Sequence, residues 1–161
     1  MKNSIFVIIA LFTVLLSFNS CDKTETPTTG DVDVQYNFVF GSSMLPFALN
    51  EEFIHPMTQD SLTFTMFKFY VSNIRLKKAD GTWWTEEDSY HLVCHNCSGY
   101  STGIHLHDVP VGDYTMMEYT LGVDSLANVS GAQTGALDPV NDMFWSWNNG
   151  YIMLKAEGTS P

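Results

Sequence analysis

The chain has little positive charge. Seven Lys and Arg face eighteen Asp and Glu over 161 residues, a formal net charge of −11. So few cations draw no basic stripe, which excludes a nucleic-acid footprint and attraction to anionic lipid. Acidity is compatible with cation binding, although it ordinarily serves only solubility. Helical spacing of apolar residues is nearly absent, and so are internal repeats. No serine sits in a nucleophile elbow, no glycine loop could cradle phosphate, and the carboxylates form no catalytic signature. Hydrolase and kinase readings therefore have no support, and a non-enzymatic protein is expected.

Long apolar runs are also scarce, with one exception. Residues 1–20, "MKNSIFVIIALFTVLLSFNS", place Lys2 before an apolar run from Ile5 to Phe18. The run is short for a bilayer span and suits a secretory signal. It ends at "SFNSC", where a small residue precedes Cys21 and polar residues follow. That pattern reads as lipoprotein processing, with Cys21 as the lipidated first residue of the mature chain and an ordinary signal peptide as the alternative. Loss of Lys2 makes the mature chain one unit more negative. Residues 21–30 then read as the lipidated cysteine and a Thr/Pro/Glu/Gly tether that buries nothing. The expected location is a bacterial cell envelope, with membrane attachment through the lipid. The folded domain is expected over 31–161, and the closing "EGTSP" reads as a turn leading onward from an unpaired last strand, so a longer chain is expected.

Within the domain the apolar period is two. "VDVQYNFVF" places Val32, Val34, Tyr36, Phe38 and Phe40 on one face of a strand. "SLTFTMFKFYVSNIRL" alternates at Leu62, Phe64 and Met66, then resumes out of phase at Phe67, Phe69 and Val71, as a β-bulge would produce. Asp80-Gly81 marks a hairpin, with a strand beginning near Trp83. "SYHLV", "GIHLHDV", "DYTMMEYTLGV" and "NGYIMLKAE" are further strands. The fold class is all-β: an antiparallel sandwich or partial barrel of Greek-key type, with one long loop, Asp124 to Asn141, that carries no obvious pattern.

Four of the five histidines and two of the three cysteines fall in "HLVCHNCSGYSTGIHLHDV". Cys94 and Cys97 can close a short disulfide, bind a soft metal or exchange electrons; their strand and glycine flanks make thioredoxin-like chemistry unattractive. His105 and His107 are two apart on a strand, so both rings share the face opposite Ile104 and Leu106. Two adjacent imidazoles can chelate copper or zinc, with His91 or His95 as a third ligand if the strands pair. The plainer reading is a pair of exposed polar residues. Met143 shares a period-two face with Trp145 and Trp147, and a thioether beside imidazoles suits copper. Asp124, Asn128, Asp138, Asn141 and Asp142 could gather oxygens around calcium, although their spacing matches no EF-hand.

"KFYVSNIRL", "VPVGDY", "GVDS", "GALDP" and "MFWSWNNGY", taken in order, resemble the MbnP-like copper-binding family from about Lys68 to Gly158. The resemblance implies a sandwich that binds copper for acquisition, storage or delivery. The family is similar to copper-binding proteins of methane-oxidising bacteria, in which a tryptophan oxidised to kynurenine joins two histidines at copper. A dihaem peroxidase-like partner can perform that oxidation. Trp145 and Trp147 lie in the family's tryptophan motif and are, by this resemblance, either core elements or the modified site. No Trp-x-His occurs in this chain, which favours the core. A structural or surface-interaction sandwich without metal is the remaining alternative.

Overall fold

The computed structural model describes residues 28–99, 101–146 and 150–160. Residues 1–20, Cys21 and Trp147 lie outside them, and with them the expected signal peptide, the expected lipidation site and one of the two tryptophans of the motif. Among the described residues the strands run β1 Thr29–Gln35, β2 Val39–Phe40, β3 Leu45–Pro46, β4 Glu52–Ile54, β5 Ser61–Lys78, β6 Trp83–Thr85, β7 Tyr90–Cys94, β8 Gly103–Pro110, β9 Tyr114–Leu121, β10 Phe144–Ser146, β11 Gly150–Tyr151 and β12 Leu154–Thr159. Among the described residues all pairings are antiparallel and no barrel closes.

β5 is the spine. One of its edges takes β12 along Thr63–Phe69 and then β9 along Val71–Lys78. The other takes β4, β7 and β6 in turn. Successive strand side chains point to opposite faces, so Phe69 and Val71 enter one core while Tyr70 enters another. The first core lies beneath the two-stranded β1–β8 layer, which contributes Ile104, Leu106 and Val109 with Val32 and Val34 beside them. The second lies beneath the segment that follows β9, with Val123, Leu137, Met143 and Tyr151 over Tyr70. The architecture is an all-β sandwich with one outer face covered by a loop.

Two register shifts explain the uneven alternation of β5. Its pairing with β12 passes from Met66 to Phe64 while β12 advances one residue, so a bulge exists as expected but its extra residue is Thr65, before Met66 rather than between Met66 and Phe67. A second bulge at Asn73, in left-handed conformation at φ 54°, lets Ile74 and Leu76 return to the face of Val71. The Asp80-Gly81 turn forms as expected, with Gly81 at φ 90° and Asp80 Oδ1 accepting from the Thr82 amide at 2.8 Å.

Four expectations are corrected. Strand pairing begins at Thr29, inside the segment expected to be tether, because Thr29 and Gly30 lie against Pro110 and Val109. The first strand stops at Gln35, since its partner β8 begins at Gly103; Val39 and Phe40 turn back on β3 instead. The last strand is paired, along β5. The loop at 124–141 is ordered by side-chain caps: Asp124 caps a short helix, Ser125–Val129, and Asp138 caps a 3-10 turn, Pro139–Asn141.

Candidate metal centre

The exposed side of the β1–β8 layer is where histidines and carboxylates meet. Asp33 lies directly opposite His105 in the register. Their side chains join, His105 Nδ1 to Asp33 Oδ1 at 2.5 Å. Between the pairs Val32–Leu106 and Gly30–Val109, β1 has one residue, Asp31, and β8 has two, His107 and Asp108. Asp108 takes up the extra length at φ 54°. The bulge spreads both residues outward while Val109 returns to the core.

Asp31 therefore faces both histidines. Its Oδ2 lies 3.5 Å from His105 Nε2 and its Oδ1 3.5 Å from His107 Nδ1. One donor atom each from Asp31, His105 and His107 fall within 4.8 Å of one another. The two rings sit edge to face with centroids 4.3 Å apart. Asp33, by accepting at Nδ1, leaves His105 Nε2 as the nitrogen turned toward Asp31. That is the carboxylate–histidine arrangement by which metal-binding imidazoles are commonly oriented. The Asp33 hydrogen bond, with the charges of Asp33 and Asp31, raises the pKa of His105.

The remaining site candidates fall elsewhere. His91, on β7, bonds through Nε2 to Glu86 Oε2 at 2.7 Å. Burial pushes the Glu86 carboxyl up, but hydrogen bonds from His91 and Ser89 outweigh it and hold Glu86 below the usual range. Glu86 and His107 line the same cleft of about 430 Å³. His95 does not join them: its ring packs against Phe38 and Phe47, centroids 4.6 and 5.3 Å away. Cys94 and Cys97 form a disulfide, with Cα atoms 5.6 Å apart and Cys94 in the core. As a disulfide they offer no thiolate, which removes them as soft ligands.

Met143 and Trp145 do not share a face. Met143 is fully buried over Tyr70, whereas Trp145 is 71% exposed. The cause is a bulge: Phe144 pairs Tyr151 and Ser146 pairs Gly150, leaving Trp145 as the extra residue outside the alternation. Trp145 is thus no core element, and Met143 is no neighbour of the histidines.

The calcium candidates are used inside the loop. Asp124 accepts from the Leu126 and Ala127 amides and from the Tyr90 hydroxyl, Asn128 from the Tyr151 amide, and Asp138 from the Val140 amide. Asn141 donates to the Ala136 carbonyl, and Asp142 pairs with Lys155. These groups satisfy backbone and one another and do not converge on a cation.

Asp31, Asp33 and Glu86 were not legible as site residues. Alternation places Asp31 and Asp33 on the polar face of their strand, but only the register to β8 brings them to the histidines.

No curated protein and no solved structure matches the chain. A family model, MbnP, matches residues 29–161, which span the sandwich, the capped loop and the histidine cluster. The chain belongs to the MbnP family.

Proposed function

We propose that this MbnP domain is a copper-binding module, non-enzymatic, that takes Cu(II) on His105 Nε2, His107 Nδ1 and an oxygen of Asp31. The observation that carries the reading is the convergence of those three donors within 4.8 Å, with Asp33 orienting one imidazole from behind. Two imidazoles and a carboxylate suit Cu(II), which stands highest among the divalent first-row ions for such donors. The soft donors that would favour Cu(I) are absent from the cluster, since Met143 is buried elsewhere and the cysteines are oxidised. The residues fit a divalent ion held at an open surface site, from which it can be stored or handed on. The N-terminal sequence supports an envelope lipoprotein anchored through Cys21, and Cys21→Ala should abolish lipid labelling of the mature chain.

Isothermal titration with Cu(II) tests the site. The wild type should bind copper tightly, and the double variant His105→Ala/His107→Ala should lose at least a hundredfold in affinity. Unchanged affinity in the double variant would sink the assignment and leave a structural sandwich.

A second reading has an observation of its own. Trp145 is 71% exposed, open to oxidation by a dihaem peroxidase-like partner of the kind known for related copper proteins. Intact-mass analysis of protein from its native envelope should then show Trp145 converted to kynurenine; unmodified tryptophan there would exclude it.

A further inference from the structure

Five Lys and Arg fall among the described residues, and three of them, Arg75, Lys77 and Lys78, stand at one end of β5. Lys68 and Lys155 share Asp142, and Arg75 pairs with Glu118. Lys77 and Lys78 form no ion pair among the described residues, although acids outnumber cations in the chain. Lys77 lies between Trp83 and Met116 in the register of β6, β5 and β9, on the outer face of the sheet. Trp83 and Met116 are both exposed. The Arg75 guanidinium and the Lys77 ammonium lie 4.5 and 5.7 Å from the centroid of the Trp83 ring. The N-terminal segment enters at this same end. Thr28 O accepts from the Val111 amide at 3.0 Å, and Asp113 O accepts from the Ala79 amide at 2.8 Å, so the turn 111–113 joins Thr28 to the end of β5. Val111 is itself exposed.

We propose that this end is the membrane-facing pole of the domain, with Trp83, Lys77, Lys78 and Val111 resting in a zwitterionic phospholipid headgroup layer such as phosphatidylethanolamine. The inference rests on the proposed lipid anchor at Cys21. Cys21 stands seven residues before Thr28, so an anchored chain holds this end within about 25 Å of the bilayer. Ser61, at the other end of β5, is roughly 55 Å away along the strand, so the tether is too short for the inverted orientation. Whole-chain acidity gives no attraction to a membrane; the anchor supplies that, and the pole decides which way the domain turns. The lysine stems lead ammonium groups toward phosphates, beside an indole of the kind that collects at membrane interfaces. Asp80, Asp113 and Glu118 flank the cations, and charges of both signs match a headgroup that carries a phosphate and an amine. Elsewhere among the described residues no unpaired Lys or Arg is offered, so other faces would set carboxylates against phosphates. Asp31 is two residues from Thr29, about 7 Å along the strand, so the cluster of Asp31, His105 and His107 stands just above the headgroups in this orientation.

Two anchored forms test the pole. One is the mature chain purified from its native membrane, whose intact mass reports lipid on Cys21. The other is the unlipidated chain from Cys21 onward, coupled through Cys21 to a maleimide lipid; with Cys94 and Cys97 in their disulfide, Cys21 is the one free thiol. Each is placed in vesicles of phosphatidylethanolamine with a phosphatidylcholine brominated near the glycerol end of its chains, and tryptophan emission is recorded. Bromine should quench a component that Trp83→Phe removes, and Lys77→Glu/Lys78→Glu should abolish that quenching while the chain stays attached. Circular dichroism of both variants confirms that the fold persists. Unquenched Trp83 in the coupled chain overturns the pole and leaves the anchor standing, provided the native chain carries lipid. Quenching indifferent to Lys77→Glu/Lys78→Glu assigns the contact to the tether alone and overturns the surface. Dimers of the unanchored chain in analytical ultracentrifugation, lost in the same double variant, assign the face to a second copy and overturn the membrane reading. A native chain without lipid overturns both the anchor and the pole that rests on it.

Discussion

Asp124 is the residue on which the capped loop depends, and its removal can be worked through. Oδ1 accepts from the Leu126 and Ala127 amides at 3.0 and 3.1 Å, the N-cap of the short helix. Oδ2 accepts from the Tyr90 hydroxyl at 2.6 Å and from Asn73 Nδ2 at 3.3 Å. Losing an N-cap costs about 1 kcal/mol. Losing a charged acceptor for a half-buried hydroxyl costs about 1.5–3 kcal/mol. Asp124→Ala should therefore destabilise by about 2–4 kcal/mol, which at this size lowers the melting temperature by roughly 10 °C. Asp124→Asn, still a good cap, should lose about half as much. Tyr90 provides a check, because the hydrogen bond to Asp124 pushes its hydroxyl pKa up to about 12. In a urea-denaturation cycle of Asp124→Ala with Tyr90→Phe, the pair should couple by about 1 kcal/mol or more. The pH dependence has a definite sign. Hydrogen bonds from Tyr90 and the Ala127 amide lower the pKa of Asp124, so its contribution is complete above the unfolded value and is lost as pH falls through the lower folded one. The difference between wild type and Asp124→Asn should shrink in that acid window. An Asp124→Ala protein within 0.5 kcal/mol of wild type, or additive with Tyr90→Phe, would refute the account.

Copper affinity should fall as pH drops, because the ion requires neutral imidazole, and the fall should begin above the ordinary histidine range since Asp33 raises the pKa of His105. In Asp33→Asn the onset measured by titration should move to lower pH, while affinity at pH 8 weakens about 10- to 100-fold through the lost orientation. Cys97→Ser should cost about 2 kcal/mol in urea denaturation, the loop-closure value for so short a ring, without changing copper stoichiometry. Met143→Ala should cost about 2–5 kcal/mol, since the side chain is wholly buried over Tyr70, and copper affinity should stay at the wild-type value.

Much of the fold could be read from alternation because a half-buried strand states its inner face in every second residue. Val32 and Val34, Phe69 and Val71, and Ile104 and Leu106 all lie where period two puts them. A slip between Phe64 and Phe67 was legible because these aromatics stand on both sides of it, but its position at Thr65, before Met66, was not. The slip at Asn73 was not, since one polar residue between Ser72 and Ile74 leaves no break in the pattern. The loop's order was hidden for a different reason. Its backbone is satisfied by Asp124, Asp138, Asn141 and the hydroxyls of Tyr70 and Tyr151, while the Tyr90 hydroxyl holds the Asp124 carboxylate, and such bonds leave no hydrophobic period. Met143 and Trp145 were set side by side by a count of two that a bulge invalidates.

The cluster of Asp31, His105 and His107 shows why a candidate site can be half legible. His105 and His107 are neighbours on one strand, so their shared face follows from spacing alone. The third member, Asp31, arises from how two strands distant in sequence lie together. A regular strand continuing from Leu106 would point Asp108 into the core and Val109 into water, an arrangement that costs several kcal/mol for the carboxylate. The bulge removes that conflict by giving His107 and Asp108 one partner, Asp31, and that same step sets a carboxylate against both imidazoles. It also leaves Asp108 beside His107 in the lining of the neighbouring cleft. The irregularity that keeps one charge out of the core is thus the feature that gathers Asp31, His105 and His107, and the cluster is a consequence of how β8 resolves its own alternation.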